Sequence, residues 1–197
     1  MYNHLQGKLI EKSPTHIVIE CGGVGYFVPV SLHTYSKLSD QENCKILVHL
    51  AVKEDSLMLF GFAEENERKL FRLLISVSGI GENTARMMLS SLTPQEIQQA
   101  IVTGNANLLQ SIKGIGGKTA QRVILDLQDK VKKGEWETSG ALNAAESPDS
   151  KMREQAASAL LTLGFSKPAV DKVLLNVLKT AEIRSVEEII KLALNQL

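Results

Sequence analysis

Short runs of β-branched and aromatic residues, separated by turn residues such as Gly22-Gly23, fill the first 62 positions of the chain. Runs of this length and composition are typical of strands. Several short strands within one small segment predict a barrel, for which the five-stranded OB type is the natural candidate. The predicted strands include His16–Ile19, Tyr26–Val30, Ile46–Val52 and Leu57–Phe62.

After Gly61 the apolar positions change from the period of a strand to the period of a helix. Apolar residues recur at three- and four-residue spacing within Leu70–Val77. Thr93–Glu96 forms a capping box with proline at the first helical position, and Gly104 is placed to end the helix that the box begins. We therefore predict a domain of short helices at residues 63–133.

The last third of the chain divides into a linker and a small helical module. Residues 134–150 are polar, acidic and without helical period, which is typical of a flexible linker. Beyond it, Gly164 is placed to end one helix, Ser166 to cap a second, and Ser185 opens another capping box. The fold class predicted for the chain is therefore α+β and multidomain, with a β-barrel at residues 1–62, a central helical domain and a three-helix module at residues 151–197.

The central domain contains an internal repeat. Gly79–Ala85 and Gly114–Ala120 share the pattern G-I-G-x-x-T-A at an offset of 35 residues. Each copy follows an apolar helical run and opens another helix, so each is predicted to be a helix-hairpin-helix.

The residue types of the repeat suit contact with a phosphate. Two glycines allow a tight turn and a close approach of the backbone, while the isoleucine between them anchors the turn in the core. Unpaired N–H groups and the positive end of the helix dipole then form a site for a phosphate oxygen. Thr84 and Thr119 add hydroxyl donors and Lys118 adds a charge, without contact to a base edge. The repeat therefore predicts DNA binding that does not depend on base sequence. The backbone contacts are predicted at Gly79, Gly81, Gly114, Gly116 and Gly117.

Two other interpretations of the repeat stay open at this point. The first glycine of each copy is also a residue that simply ends a helix. The repeat is also compatible with a purely architectural role, in which paired hairpins pack around a shared pseudo-twofold axis.

Charge favours the DNA-binding interpretation only locally. Twenty-two Lys and Arg balance 22 Asp and Glu, which argues against a protein that finds nucleic acid simply by being basic. Residues 63–133, however, carry ten Lys and Arg against seven Asp and Glu, whereas residues 134–150 carry four acidic residues and no basic one. The positive excess thus coincides with the repeat.

Catalytic chemistry is not expected from these residues. Gly117-Lys118-Thr119 is similar to the end of a P-loop, but Ile112 stands where that motif requires glycine. The four histidines all lie in the barrel segment, and no nucleophile, base and oxyanion hole are assembled. Cys21 and Cys44 form no CxxC pair, so neither a disulfide framework nor a zinc site is suggested. We expect no catalytic residue, no metal and no cofactor.

The sequence predicts a cytoplasmic location. No stretch approaches the roughly 20 apolar residues of a membrane span. The residues Met1–Gly7 lack the charged and apolar regions of a signal peptide.

The whole chain resembles the RuvA family, whose members bind Holliday junctions in bacterial branch migration. The resemblance covers the barrel, both hairpins, the acidic linker and the last helical module in this order. Its most specific parts, besides the two Gly-Ile-Gly motifs, are Val52–Asp55 followed by Leu59–Phe62.

Membership of this family implies a homotetramer, single or paired as an octamer, that holds a four-way junction open on one face. It places Glu54 and Asp55 at the crossover as an acidic pin, whereas the residues alone favour a solvated polar turn between strands. It also implies that residues 151–197 bind the RuvB ATPase, which accounts for the missing ATP site, and it leaves room for the RuvC resolvase as a partner. The implied roles lie in recombination, DNA repair and the SOS response.

The chain departs from the family's commonest hairpin pattern in two places. Glu82-Asn83 stands where proline and lysine are familiar, and Gly117 stands where a lysine is common. The first hairpin therefore loses a cation and gains a carboxylate, although Asn83 still offers a hydrogen-bond donor. Lys118 and Arg122 are the cations expected to contact DNA.

Three rival functions remain at this stage. One is a different hairpin-bearing DNA repair scaffold, whose terminal module recruits a nuclease. Another is a protein-interaction adaptor whose hairpins are structural. An enzyme would require Glu54 and Asp55 to hold a metal, for which two adjacent carboxylates without further ligands are weak support.

Overall fold

A five-stranded antiparallel sheet forms the first part of the chain in the computed structural model, which describes residues 2–39, 42–132, 148–180 and 185–196. The strand order is β3-β2-β1-β4-β5, so the first strand lies at the centre of the sheet. The strands are β1 (His4–Lys12), β2 (His16–Cys21), β3 (Val24–Pro29), β4 (Asn43–Val52) and β5 (Leu57–Phe62).

The two edge strands meet and nearly close the sheet into the predicted barrel. Val30, directly after β3, forms a parallel bridge with Gly61 of β5. A Cβ atom at Gly61 would lie 2.7 Å from Cγ1 of Val28, so glycine is needed where the strands approach. The five-stranded barrel expected from the sequence is thus confirmed.

Two elements of the barrel were not among the predicted ones. Strand β1 pairs on both sides, with β2 and β4, and its register with β2 shifts between Leu9 and Glu11. The short helix α1 (Leu32–Lys37) follows β3, and the Ser31 side chain accepts a hydrogen bond from the backbone N–H of Thr34 to cap it.

The barrel and the following helices share one apolar core. Phe60 and Phe62 of β5 contact the ring of Phe71, with ring centroids 5.3 and 4.9 Å apart. Ala51 joins the same cluster, which continues through the helical repeat as far as Val131. The barrel and the central helices were predicted as separate domains, but their described residues pack against each other across buried side chains. This packing fixes the position of the hairpins relative to the β4–β5 turn.

A buried carboxylate lies within this contact. Glu67 is fully buried and accepts hydrogen bonds from the hydroxyls of Ser31 and Thr34. Burial raises the pKa of Glu67, and the two hydroxyl donors partly oppose that shift. Arg68 beside it donates to the backbone carbonyls of Asn3 and Val48, at 2.7 and 3.2 Å.

The helical part begins immediately after the barrel. The capping box at Thr93 is present in both directions, and Gly104 ends the same helix with φ of 71°, as predicted. The helices are α2 (Glu65–Ile75), α3 (Glu82–Ser91), α4 (Pro94–Thr103), α5 (Ala106–Gln110) and α6 (Gly117–Lys132).

The last three helices form a separate compact unit with its own core. The backbone N–H of Glu188 donates to the Ser185 side chain, which caps the last helix as predicted. Residues 133–147, which include most of the predicted linker, lie outside the described residues, and residues 148–150 belong to the first helix of this unit. The three helices are α7 (Pro148–Thr162), α8 (Lys167–Thr180) and α9 (Val186–Leu194).

Candidate nucleic-acid interface

The two copies of the repeat form turns of the same geometry, one between α2 and α3 and the other between α5 and α6. Gly79 and Gly114 have φ angles of 94° and 93°, in a region of backbone conformation that residues other than glycine rarely adopt. The isoleucine that follows each of them is only 5% exposed and anchors the turn in the core. Both predicted helix-hairpin-helix motifs are present.

Of the two roles predicted for the second glycine of each motif, a tight turn and a close approach to the backbone, the first does not require glycine. Gly81 has φ of −87°, and neither Gly81 nor Gly116 is in the positive-φ region. A Cβ atom built on either residue would meet no atom of the described residues within 4 Å. These glycines are therefore not needed for the turn, and they leave open space in front of the backbone.

The open space lies at the amino ends of two helices. The N–H of Ala85 bonds to the carbonyl of Gly81, and the N–H of Ala120 bonds to that of Gly116, each at 2.9 Å. Because these are the first bonds of α3 and α6, the amides that precede them have no partner within their helix. Such amides, together with the helix dipole, favour an anion.

The second hairpin presents neutral and positive groups at this end. Gly117 and Lys118 are exposed, and Thr119 is partly exposed. The nearest atoms to a Cβ built on Gly117 belong to the side chain of Gln110, at 3.6 Å or more. A phosphate oxygen could approach these amides without meeting a carboxylate of the hairpin.

The first hairpin carries an ion pair at the same place. Glu82 is the first residue of α3, and its carboxylate lies 2.9 Å from Nζ of Lys53. The Lys53 ammonium, followed by the backbone N–H of Glu82 itself, lowers the pKa of this carboxyl. Asn83 is exposed beside it. The two hairpins thus share a backbone but differ in charge.

Arg122 connects the two hairpins. Its Nη1 atom donates to the backbone carbonyl of Ser78, in the turn of the first hairpin, at 3.3 Å. Arg122 itself is exposed, so the guanidinium lies at the surface between the two turns. The two motifs predicted from separate parts of the sequence are therefore adjacent in the fold.

The turn between β4 and β5 contains the two predicted pin residues. Glu54 and Asp55 are both exposed, and the turn is closed by a 2.9 Å hydrogen bond from the N–H of Lys53 to the carbonyl of Ser56. The side chain of Lys53 reaches α3, so this turn lies next to the first hairpin.

Several acidic residues of the helical part are used at its contact with the barrel. Glu64 bonds Lys37 of α1, and Glu67 is buried beneath α1. Glu65 bonds Arg68 within α2, and Arg68 in turn bonds the barrel. The cations near the hairpin turns remain at the surface. Among them are Lys53 at the first hairpin and Lys113, Lys118 and Arg122 at the second.

Two cations that the fold places at α3, the second helix of the first hairpin, were not predicted from the sequence. Arg86 of α3 donates to the carbonyl of Thr15 at 3.0 Å and so holds α3 against the barrel. Lys53 pairs with Glu82 at the amino end of the same helix. Lys53 directly precedes the predicted pin, but nothing in the local sequence relates it to the hairpin.

Two other features, a metal-binding cluster and a membrane-spanning helix, are absent from the described part of the chain. There, no group of three His, Cys, Asp or Glu side chains is arranged to hold a metal ion. No described helix has the length and apolar character needed to cross a membrane.

Three family models match this chain. The RuvA N terminal domain matches residues 1–61, and the SAM-like helix-hairpin-helix tandem matches residues 71–129. The RuvA C-terminal domain matches residues 151–197. The matches follow the predicted order of barrel, hairpins and terminal helices.

Relatives similar to this chain extend over its whole length. Proteins of Christiangramia forsetii and Flavobacterium psychrophilum are 52% and 49% identical to it over 197 residues, and one of Bacteroides thetaiotaomicron is 48% identical over 201 residues. In each case the match covers 100% of both chains. All three relatives carry the name Holliday junction branch migration complex subunit RuvA.

Proposed function

This chain belongs to the RuvA family, and we propose that it binds four-way DNA junctions through their sugar-phosphate backbone and recruits a motor for branch migration. The observation that carries the proposal is the pair of adjacent hairpins, each with an open glycine backbone at a helix amino end. The names of the relatives support the junction as the DNA substrate.

Backbone contact explains why such binding would not depend on base sequence. Amide donors and the cations Lys118 and Arg122 recognise phosphate oxygens, which are the same at every base pair. Thr84 and Thr119 lie in the first turns of α3 and α6 and add hydroxyl donors. The remaining proposed contacts are Gly79, Gly81, Asn83, Gly114, Gly116 and Gly117.

The preference for a four-way junction over a linear duplex would come from the assembly of four subunits and from the β4–β5 turn. In a homotetramer, four copies of the hairpin pair would each hold one DNA arm. Glu54 and Asp55 would then lie around the crossover, where their carboxylates repel phosphates and help to separate strands. The exposure of both residues and the closeness of their turn to the first hairpin support this arrangement.

Motor recruitment is proposed for residues 151–197. The described helices of this region form a compact unit with its own core, and the region matches the C-terminal domain of the family. No P-loop is present in the sequence, so ATP hydrolysis would be supplied by the RuvB ATPase. This chain would act as a non-catalytic, DNA-binding subunit, with RuvC resolvase as a further partner.

Junction binding and assembly can be tested together. Native mass spectrometry of the full chain, with and without a synthetic four-way junction, should give a mass of four subunits, or of eight, bound to one junction. A monomer that binds no DNA at low salt would instead support an adaptor, and equal binding of linear duplex would support a different repair scaffold.

The motor assignment requires a separate assay. A variant that ends at Lys133 should still bind junctions but should no longer stimulate branch migration by the cognate ATPase, because residues 151–197 form a separate folding unit. Retained stimulation would contradict the assignment of those residues.

A further inference from the structure

Lys53 and Glu82 place a cation at the amino end of α3 from outside the hairpin. The two side chains form an ion pair with 2.9 Å between Nζ and Oε2. Glu82 is 22% exposed and Lys53 is 57% exposed, so the lysine is on the solvent side of the pair. Lys53, Glu82 and Asn83 line the same small surface depression, together with Ser56.

The second hairpin has a lysine at a position where the first hairpin has none. At the offset of 35 residues, Asn83 corresponds to Lys118, and Glu82 corresponds to Gly117. The first hairpin therefore has no cation of its own at the position where the second has Lys118. The fold brings the ammonium of Lys53 next to that position, since Lys53 pairs with Glu82 and lines the same depression as Asn83.

We propose that Lys53 is the phosphate-binding cation of the first hairpin, and that Glu82 holds it there until DNA arrives. This inference rests on the proposed function. The Glu82 carboxylate occupies the anion position at the helix amino end, where a phosphate oxygen would bind. An incoming phosphate therefore competes with Glu82 for the same ammonium.

The proposal gives Lys53 and Glu82 opposite effects on DNA binding. Loss of Lys53 removes a charged hydrogen bond to the phosphate and weakens binding. Loss of the Glu82 charge removes a competitor and strengthens binding. A purely structural ion pair would behave differently, because removal of either partner would break the same bridge and shift the affinity in the same direction.

The experiment compares K53M and E82Q with the wild type in the full chain. Junction affinity is measured by gel-shift titration over a series of salt concentrations. We expect K53M to weaken binding about tenfold or more, and to reduce the log-log salt slope by about 0.9 for each phosphate that Lys53 neutralises. We expect E82Q to bind more tightly than the wild type.

The matched control is K45M. Lys45 is exposed on β4, well before the β4–β5 turn, so this variant removes the same charge away from the hairpins. We expect K45M to bind like the wild type, and circular dichroism checks that all three variants are folded. Equal binding by K53M and the wild type, or a shift of K53M and E82Q in the same direction, would overturn the assignment. Failure of the wild type to bind any junction would overturn the proposed function instead, so the two failures are distinguishable.

Discussion

The two hairpins have the same backbone and different chemistry. Gly79 and Gly114, with φ of 94° and 93°, are nearly identical in conformation, and the isoleucines that follow are buried to the same extent. The first hairpin nevertheless places a carboxylate at the amino end of its helix, whereas the second has Gly117 and a lysine.

The comparison distinguishes what the turn needs in order to form from what a phosphate would need in order to bind. The turn needs one glycine with positive φ and one apolar anchor, and both hairpins supply them. In the proposed function, affinity for a phosphate would also depend on the two residues after the second glycine, and there the hairpins diverge. We therefore expect the second hairpin to contribute more to DNA binding than the first.

The largest effect should come from filling the open space in front of the glycine backbone, first in one hairpin and then in the other. G114V/G116V should weaken junction binding by about a hundredfold and G79V/G81V by about tenfold, because charged hydrogen bonds contribute roughly 1.5 to 3 kcal/mol each. Gel-shift titration measures both, and circular dichroism checks the fold. G116V alone closes the space in front of the backbone without the strain of a positive φ, so it should weaken binding in a protein that remains folded. Equal losses for the two double variants would show that the hairpins are equivalent.

Exchange of charge between the hairpins should have an intermediate effect. N83K gives the first hairpin the lysine of the second and should raise junction affinity about tenfold, with the salt slope steeper by about 0.9. G117E gives the second hairpin the carboxylate of the first and should lower affinity by a similar factor. Salt-dependent titration of both variants is the measurement. If N83K leaves affinity and slope unchanged, a lysine at residue 83 adds no phosphate contact to the first hairpin.

The acidic turn should affect selectivity more than affinity. A carboxylate near a phosphate is repelled by about 1 kcal/mol at roughly 4 Å in water, so E54Q/D55N should bind junctions as well as the wild type or better. It should discriminate about threefold to tenfold less between junction and duplex, because the duplex no longer meets the repulsion. Both substrates must be titrated at one fixed salt concentration. Weaker junction binding with unchanged duplex binding would show that the two carboxylates are not a repulsive pin.

The smallest effect concerns stability. G79A should destabilise the fold by about 1 to 2 kcal/mol, because alanine is strained at a φ of 94°. G81A should leave the free energy of unfolding within about 0.5 kcal/mol of the wild type, since its Cβ meets no described atom within 4 Å. Chemical denaturation monitored by circular dichroism distinguishes the two. Equal destabilisation would mean that both glycines are needed for the turn.

Much of the fold is predictable because its signals are local. The two Gly-Ile-Gly motifs, the capping box at Thr93 and the helix end at Gly104 each depend on a few neighbouring residues. Strand β1 was harder to recognise because its centre alternates exposed and half-buried positions and only Leu5 is fully buried. Helix α1 is six residues long, too short for a periodic signal.

The candidate site is less predictable because its contacts join distant parts of the chain. Lys53 and Glu82 are separated by a strand and a helix, and the ion pair exists only because α2 packs against the barrel. The bond from Arg122 to Ser78 likewise joins the two copies of the repeat. The sequence also did not indicate that the second glycine of each hairpin is free of strain, since that depends on the φ that the fold imposes.

The most direct test of backbone recognition at a junction is a gel-shift competition with the full chain at one salt concentration. The competitors are a four-way junction, a junction of the same shape with permuted arm sequences, and a linear duplex with the sequence of two arms. The two junctions should compete within about twofold of each other, because phosphate contacts carry no sequence information. The duplex should compete at least about tenfold less well, because in the proposed arrangement its phosphates would have to pass over the acidic turn. A large difference between the two junctions, or competition by the duplex as strong as by the junction, would contradict structure-specific binding through the backbone.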